Sequence, residues 1–210
     1  MINVKEFQVG PLRANCFVVT NGSSDAVIID AGGTDRVFMN YLEENKIIVR
    51  AILLTHGHFD HIFGAKELKE KFGAEIYIHD YDYELTSSTE KSLAYWVDEE
   101  FFTPFSADKT FLSDDIISVA GMDFKVMHCP GHTRGSSCFI INDNIFTGDA
   151  LFCGSIGRSD VYGSDPVIQK AALKQFCELS GDYNLYCGHG EKTKLSVEMK
   201  TNPYLLDFRK

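Results

Sequence analysis

The sequence predicts an α/β protein of two mixed β/α halves, with two sheets packed face to face and helices outside. Two observations carry this reading. Short apolar runs alternate with segments of helical spacing along most of the chain. Both halves also share a layout in which an apolar strand is followed by small residues and then by a histidine or carboxylate. Layering follows because each sheet and each helix must bury one apolar face. The 210 residues suit one domain of α/β size. That domain is expected to span 1–210, with its halves near 1–109 and 110–210.

Taken in order, Val4 to Val9 and Asn15 to Thr20 read as strands separated by Gly10-Pro11. Turn-rich Asn21 to Asp25 leads into a third strand, Ala26 to Asp30, and Asp30-Ala31-Gly32-Gly33 forms a tight loop. Thr34 is a candidate N-cap for a helix reaching Lys46. Arg50 to Leu54 reads as a buried strand. Ile62 to Phe72 has helical spacing, with Ile62, Ala65, Leu68 and Phe72 on one face. Glu75 to Ile78 reads as a strand and Asp80 to Leu85 as a short helix. Periodicity fails from Ser87 to Lys109, where Tyr95, Trp96, Phe101, Phe102 and Phe105 mix with Asp98, Glu99 and Glu100. This stretch reads either as a long connection with its own apolar cluster or as a flap over a site. Strands follow at Ile116 to Val119 and Phe124 to Met127, joined at Gly121. A hairpin runs from Ser137 to Phe146 around Asn142-Asp143. Asp165-Pro166 opens a helix through Leu179, Asn184 to Cys187 is a last strand, and Glu191 to Lys200 reads as a closing helix.

Hydrophobic residues at 44% and charged residues at 24% are ordinary globular values. A net charge of -10 argues against general nucleic-acid binding and requires local positive charge for any anionic substrate. The first residues lack a signal-peptide layout, and no apolar run is long enough to span a bilayer. Six scattered cysteines without a Cys-x-x-Cys read as reduced, mostly buried thiols. The expected compartment is the cytoplasm.

The chemistry concentrates in Thr55-His56-Gly57-His58-Phe59-Asp60-His61, where three histidines and a carboxylate fall within six positions. Imidazole nitrogen and carboxylate oxygen are the usual non-thiolate ligands of zinc. A strand-to-helix turn lets these side chains converge without being packed into a core. Further candidates are His132 in Pro130-Gly131-His132-Thr133, Asp149 in Thr147-Gly148-Asp149, and His189 in Gly188-His189-Gly190. Each follows a strand, beside glycines that let the backbone come close.

In series these motifs resemble the metallo-β-lactamase-fold hydrolases, in particular their short glyoxalase II-like branch. Phe152 to Asp160 and Thr201 to Leu205 resemble further segments of that branch. The resemblance implies a four-layer αββα sandwich. It also implies two divalent metal ions, zinc first, with iron or manganese as alternatives. His56, His58 and His132 would hold one ion, Asp60, His61 and His189 the other, and Asp149 both. Asp60 and Asp149 are the catalytic candidates, since they offset two of the four metal charges. The site then stays electropositive and can hold a bridging hydroxide at neutral pH. A thiol of pKa about 8.5 leaves as thiolate without strong acid help, which favours thioesters over amides. The expected activity is hydrolysis of acyl-glutathione or a related small-molecule thioester. A lactonase and a mononuclear iron persulfide dioxygenase remain as alternatives. Longer glyoxalase II enzymes carry a C-terminal helical domain that contributes to glutathione binding. This sequence closes soon after its last ligand, so the catalytic centre carries over and that glutathione site does not.

Other polar residues divide by position. His79 and His128 lie outside the ligand motifs and read as structural, and Cys153 and Cys187 as packed thiols. Arg158 and Asp160 suggest a buried pair bracing the loop after Asp149. Arg134, Lys192 and Lys194 are the candidates for substrate contact, the lysines beside the exposed start of the Glu191 helix. The sequence leaves the oligomeric state open.

Overall fold

The computed structural model describes residues 1–97 and 102–208. Asp98, Glu99, Glu100 and Phe101 of the irregular stretch lie outside the described residues. Two six-stranded sheets form the body. In the first, β1 (Asn3–Val9), β2 (Ala14–Thr20), β3 (Asp25–Ile29), β4 (Ile48–Leu53), β5 (Glu75–His79) and β6 (Lys109–Phe111) lie side by side in chain order. Pairing is antiparallel up to β3 and parallel from β3 to β6. The second sheet contains β7 (Ile116–Val119), β8 (Met122–His128), β9 (Ser137–Ile141), β10 (Asn144–Gly148), β11 (Asn184–Cys187) and β12 (Thr193–Lys194), again in chain order. Only β10 and β11 run parallel there.

Strict alternation along the strands sorts the buried side chains into three apolar clusters. Cys16, Val18, Ala26, Ile28 and Ile52 face outward from the first sheet. They meet Phe38, Met39 and Leu42 of α1 (Arg36–Glu44), Ile62 of α2 (Phe59–Ile62), and Ala65 and Leu68 of α3 (Ala65–Phe72). Their neighbours Phe17, Val19, Val27, Ile29, Ala51 and Leu53 face inward onto Phe124, Val126, Phe139 and Phe146 of the second sheet. Cys138, Ile145 and Leu185 face the other way, onto Ala172, Leu173 and Phe176 of α4 (Pro166–Glu178) and Leu195 of α5 (Leu195–Thr201). Helix, sheet, sheet, helix is therefore the order of layers, as the sequence predicts. A single-residue slip in any central strand would exchange two of these clusters.

Local chemistry accounts for the ends of the elements. Asp165 caps α4 by accepting from the Val167 and Ile168 N–H groups at 2.8 and 3.0 Å, with Pro166 in the first turn. Thr34 is not the cap of α1; that position falls to Asp35, while the Thr34 hydroxyl donates to Glu67. The expected closing helix starts later, at Leu195, because Thr193 and Lys194 first pair with β11. Phe105 N–H donates to Thr86 O, and β6 follows at Lys109. The division between halves near 109 thus falls inside the first sheet, which ends at Phe111. Among the described residues no helix is long and apolar enough to cross a membrane.

Candidate metal centre

Strands β3, β4, β8, β10 and β11 end at one edge of the sandwich, and the loops leaving them carry the site. Seven side chains converge there in three overlapping groups: His56, His58 and His132; Asp60, His61 and His189; and His56, His61 and Asp149. His56, His58, His61, His132, Asp60 and Asp149 are buried, whereas the His189 side chain is 30% exposed and forms an open side of the site.

Each group turns ligand-type atoms on one another. His58 Nδ1 lies 2.8 Å from His132 Nε2, which lies 3.3 Å from His56 Nε2. In the second group His189 Nε2 is 3.0 Å from Asp60 Oδ2 and 3.3 Å from His61 Nε2. Asp149 joins the groups, with Oδ1 3.3 Å from His61 Nε2 and Oδ2 3.4 Å from His132 Nε2. Its Oδ1 is buried without a hydrogen-bond partner among the described residues. Facing imidazole lone pairs beside an unsatisfied carboxylate oxygen are costly in a protein interior. The same set suits hard-to-borderline divalent cations, so the residues present fit a metal site.

The opposite edges of the rings are anchored. His56 Nδ1 is 3.0 Å from Thr55 Oγ1, whose hydroxyl donates to Asp30 Oδ2 at 2.8 Å. His61 Nδ1 is 2.9 Å from the same Asp30 oxygen, and His132 Nδ1 is 2.8 Å from Arg158 O. These contacts fix ring orientation and leave the Nε2 atoms for the centre. Asp82, fully buried, accepts from Gly57 N–H (3.0 Å), the Thr133 hydroxyl (2.6 Å) and Gly135 N–H (2.6 Å). It ties the His56–His58 turn of one sheet to the His132 turn of the other. Asn15 does the same for His189, donating from Nδ2 to Cys187 O and Gly190 O at 2.9 Å each.

Burial sets the protonation pattern. It pushes the His58 imidazole down to about 3, helped by neighbouring His132, and pushes His56 well below the usual range. Both rings are therefore neutral, the form that ligates. Burial works the same way on His61, but Asp60, Asp149 and Asp30 together hold it well above its ordinary value. Desolvation would raise Asp149, yet His61 and His132 hold it well below the usual carboxylate range.

The seven ligand candidates read from the sequence thus come together, and the substrate-contact candidates do not. A cavity of about 240 Å³ opens over the ligands, walled by Leu12, Leu93, Trp96, Phe152 and Arg158. Arg134 instead lies 5.6 Å over the Tyr81 ring and lines a separate crevice. Lys194 pairs with Asp182 beside Asn184, at the end of β11 away from His189, because β12 turns the chain back. Lys192 is exposed and outside the cavity lining. Arg158, expected in a buried pair, is bound to Asp160 on the surface and sits 5.0 Å over the Trp96 ring. It is the cation of the cavity wall. His79 and His128 stack 4.2 Å apart away from the centre. Cys187 is buried and pushed up to about 12, so it stays a thiol, while Cys153 is exposed rather than packed. Ser87 to Lys109 partly fits both of its readings: Leu93, Phe102 and Ala107 are buried in the core, and Leu93 and Trp96 wall the cavity.

Asp30 was open to the same reading as Asp149, since it too follows an apolar strand and stands beside glycines. Asp82 carried no such signal, lying among Asp80, Tyr81, Tyr83 and Glu84 in a short 3-10 helix.

A four-layer sandwich with this histidine and aspartate cluster at one edge defines a metallo-hydrolase class. The chain belongs to the metallo-beta-lactamase superfamily, whose family model matches residues 9–189. It is 32% identical to the hydroxyacylglutathione hydrolase GloC of Haemophilus influenzae, over 97% of this chain and 98% of that protein. Among solved structures it is similar to the BLEG-1 B3 metallo-beta-lactamase, with TM-score 0.91 and 30% identity over 98% of this chain and 99% of that one. It is also similar to TTHA1623 in a di-iron-bound form, with TM-score 0.83 and 32% identity over 96% and 100% of the two chains.

Proposed function

We propose that this protein is a binuclear metal-dependent hydrolase of small-molecule thioesters, of the glyoxalase II type. The observation that carries the proposal is Asp149, whose two oxygens face one histidine from each triad at 3.3 and 3.4 Å. His56, His58 and His132 would hold one ion, Asp60, His61 and His189 the second, and Asp149 both. Divalent ions held this way acidify water and polarise a carbonyl.

The chain's own residues do the rest. Asp60 and Asp149 offset part of the metal charge and leave the site attractive to an anion. Asp30 and Thr55 hold His61 and His56 in register from behind. Leu12, Leu93, Trp96 and Phe152 wall the cavity with apolar surface, which strengthens electrostatic interactions inside it. Arg158, held by Asp160, completes the cavity wall. A thiolate is a good leaving group, so an acyl thioester asks less of this site than an amide does. Support also comes from the relative named hydroxyacylglutathione hydrolase. Zinc is the expected metal, and the di-iron form of a similar chain makes iron the alternative to test.

Metal analysis joined to a substrate panel tests this. The protein should approach two metals per chain and favour S-lactoylglutathione or another acyl thioester over lactones and a β-lactam. One iron per chain with oxygen uptake on glutathione persulfide would transfer the assignment to a dioxygenase. Asp149→Ala should lose activity by on the order of a hundredfold or more, because even partners behind metal ligands cost about 10–100-fold. It should also lose metal while keeping the fold by circular dichroism. Full metal content and activity in that variant would sink the ligand assignment.

A further inference from the structure

Leu93 has a backbone φ of 65° and is 4% exposed. Non-glycine residues rarely take this conformation, and where they do the surroundings must hold them there. Here they do. Leu93 N–H donates to Glu90 O at 3.1 Å, Trp96 N–H donates to Leu93 O at 3.0 Å, and Phe59 N–H donates to Ser92 O at 2.8 Å. The last bond ties the segment to the residue between His58 and Asp60.

Leu93 lines two neighbouring cavities. One is the cavity of about 240 Å³ over the metal ligands. The other is a second cavity of about 440 Å³, lined by Thr89, Glu90, Tyr95 and Tyr162. Leu93 is the residue that the two linings share. The far wall is braced, since the Tyr162 hydroxyl donates to Glu84 at 3.0 Å and Lys91 pairs with Glu84 while lying 5.7 Å over the Tyr162 ring.

We propose that Leu93 is a specificity-determining residue dividing a two-chamber substrate site. The reacting acyl end lies over the metal ligands, and the limb of the thiol carrier passes Leu93 to lie against Tyr95 and Tyr162. The proposal rests on the thioesterase reading. Small-ligand sites usually measure about 300–1,000 Å³, a range that the chamber over the ligands misses by itself. The second chamber's chemistry narrows the carrier. Flat tyrosine rings suit planar amides, the Thr89 hydroxyl and Glu90 carboxylate accept from amide N–H groups, and Lys91, the cation over the Tyr162 ring, is paired with Glu84. The limb it fits carries amides and no phosphate.

Trp96 is the only tryptophan in the chain and lines the first chamber, so its fluorescence reports occupancy directly. The metal-loaded protein is titrated with three inert thioethers: S-ethyl cysteamine, S-ethyl pantetheine and S-ethyl phosphopantetheine. S-ethyl pantetheine should bind most tightly. Tyr162→Ala should weaken it about five- to tenfold, the worth of one aromatic contact, and leave S-ethyl cysteamine within about twofold. The wild type should prefer S-ethyl over S-decyl pantetheine, and Leu93→Gly, which accepts the positive φ, should erase that preference. Metal content and thermal melting check that both variants are folded. If Leu93→Gly fails that check, Tyr162→Ala alone decides. Equal losses on the short and long probes, no loss on either, a preference for the phosphorylated limb, or no Trp96 response would each overturn the proposal. Thioether binding does not depend on turnover. The expected pattern without thioester hydrolysis would remove the enzymatic reading alone, whereas hydrolysis without the pattern would remove this inference alone.

Discussion

The histidines of this chain divide by what lies behind them. Three of those at the candidate metal centre are backed by fixed acceptors: His56 by the Thr55 hydroxyl, His61 by Asp30 and His132 by the Arg158 carbonyl. His79 is buried in a stack with His128 and accepts from Tyr81 N–H at 3.2 Å. Burial, then the neighbouring His128, pushes it down to about 4. An unfolded histidine titrates near 6.5, so below that pH the unfolded chain takes up a proton that the folded chain refuses. Stability is therefore present above about pH 6.5 and is lost as pH falls toward 4. At pH 5 this one residue costs about 2 kcal/mol relative to pH 7. His79→Phe keeps a flat ring in the stack and should shrink the pH 7-to-5 loss in urea unfolding by about that amount, with metal content unchanged. An unchanged slope would show that His79 does not carry the acid sensitivity. The sequence set His79 apart because it lies outside the ligand-type motifs. It could not identify Asp82, whose three donors come from turns 25 to 53 residues away.

At the level of elements, the centre depends on strands ending where the next backbone can come close. Gly188 ends this way after β11, and a Cβ there would stand 2.2 Å from Asp149 Oδ1 and 2.8 Å from His61 Cε1. Gly188→Ala should push Asp149 off its shared position and lower metal retention and activity together. A loss of thermal stability is expected as well, since the added Cβ would press on His61 of α2. Full retention of bound metal by the variant would mean that the loop yields without moving Asp149. Glycines next to His56, His58, His132, Asp149 and His189 were legible in the sequence as a spacing rule, and most strands were legible from alternation. β6 was not, because three residues with one buried side chain make no pattern. The start of α5 was also missed. Glu191 to Lys200 has helix-compatible composition throughout, and only the pairing of Thr193 with Leu185 holds its first residues extended.

Across the whole molecule, the ligands are split between the sheets. His56, His58, Asp60 and His61 leave β4 of the first sheet, while His132, Asp149 and His189 leave strands of the second. Metal binding therefore clamps the two sheets at one edge, beyond the apolar contacts of Phe17 with Phe146 and Tyr186. Removing metal with a chelator should lower the melting temperature, because anything that binds only the folded form stabilises it by mass action. A ligand at a hundred times its dissociation constant contributes about 2.7 kcal/mol. Restoring metal should restore the melt. An identical melt with and without metal would place the clamp outside the stability of the fold.

Each sheet is also built from strands consecutive in the chain, β1 to β6 and then β7 to β12. During synthesis the first sheet's strands are complete once Phe111 has emerged, with the His56 to His61 turn already made. His189, beyond β11, is still to come. At ordinary translation rates of about 5–20 residues per second, that interval is on the order of ten seconds. At its start the chain presents half a chelate, three imidazoles and a carboxylate; His132 and Asp149 follow during it, and His189 comes at its end. The candidate metal centre can thus close only after His189 is made, although its densest motif is among the first to be translated.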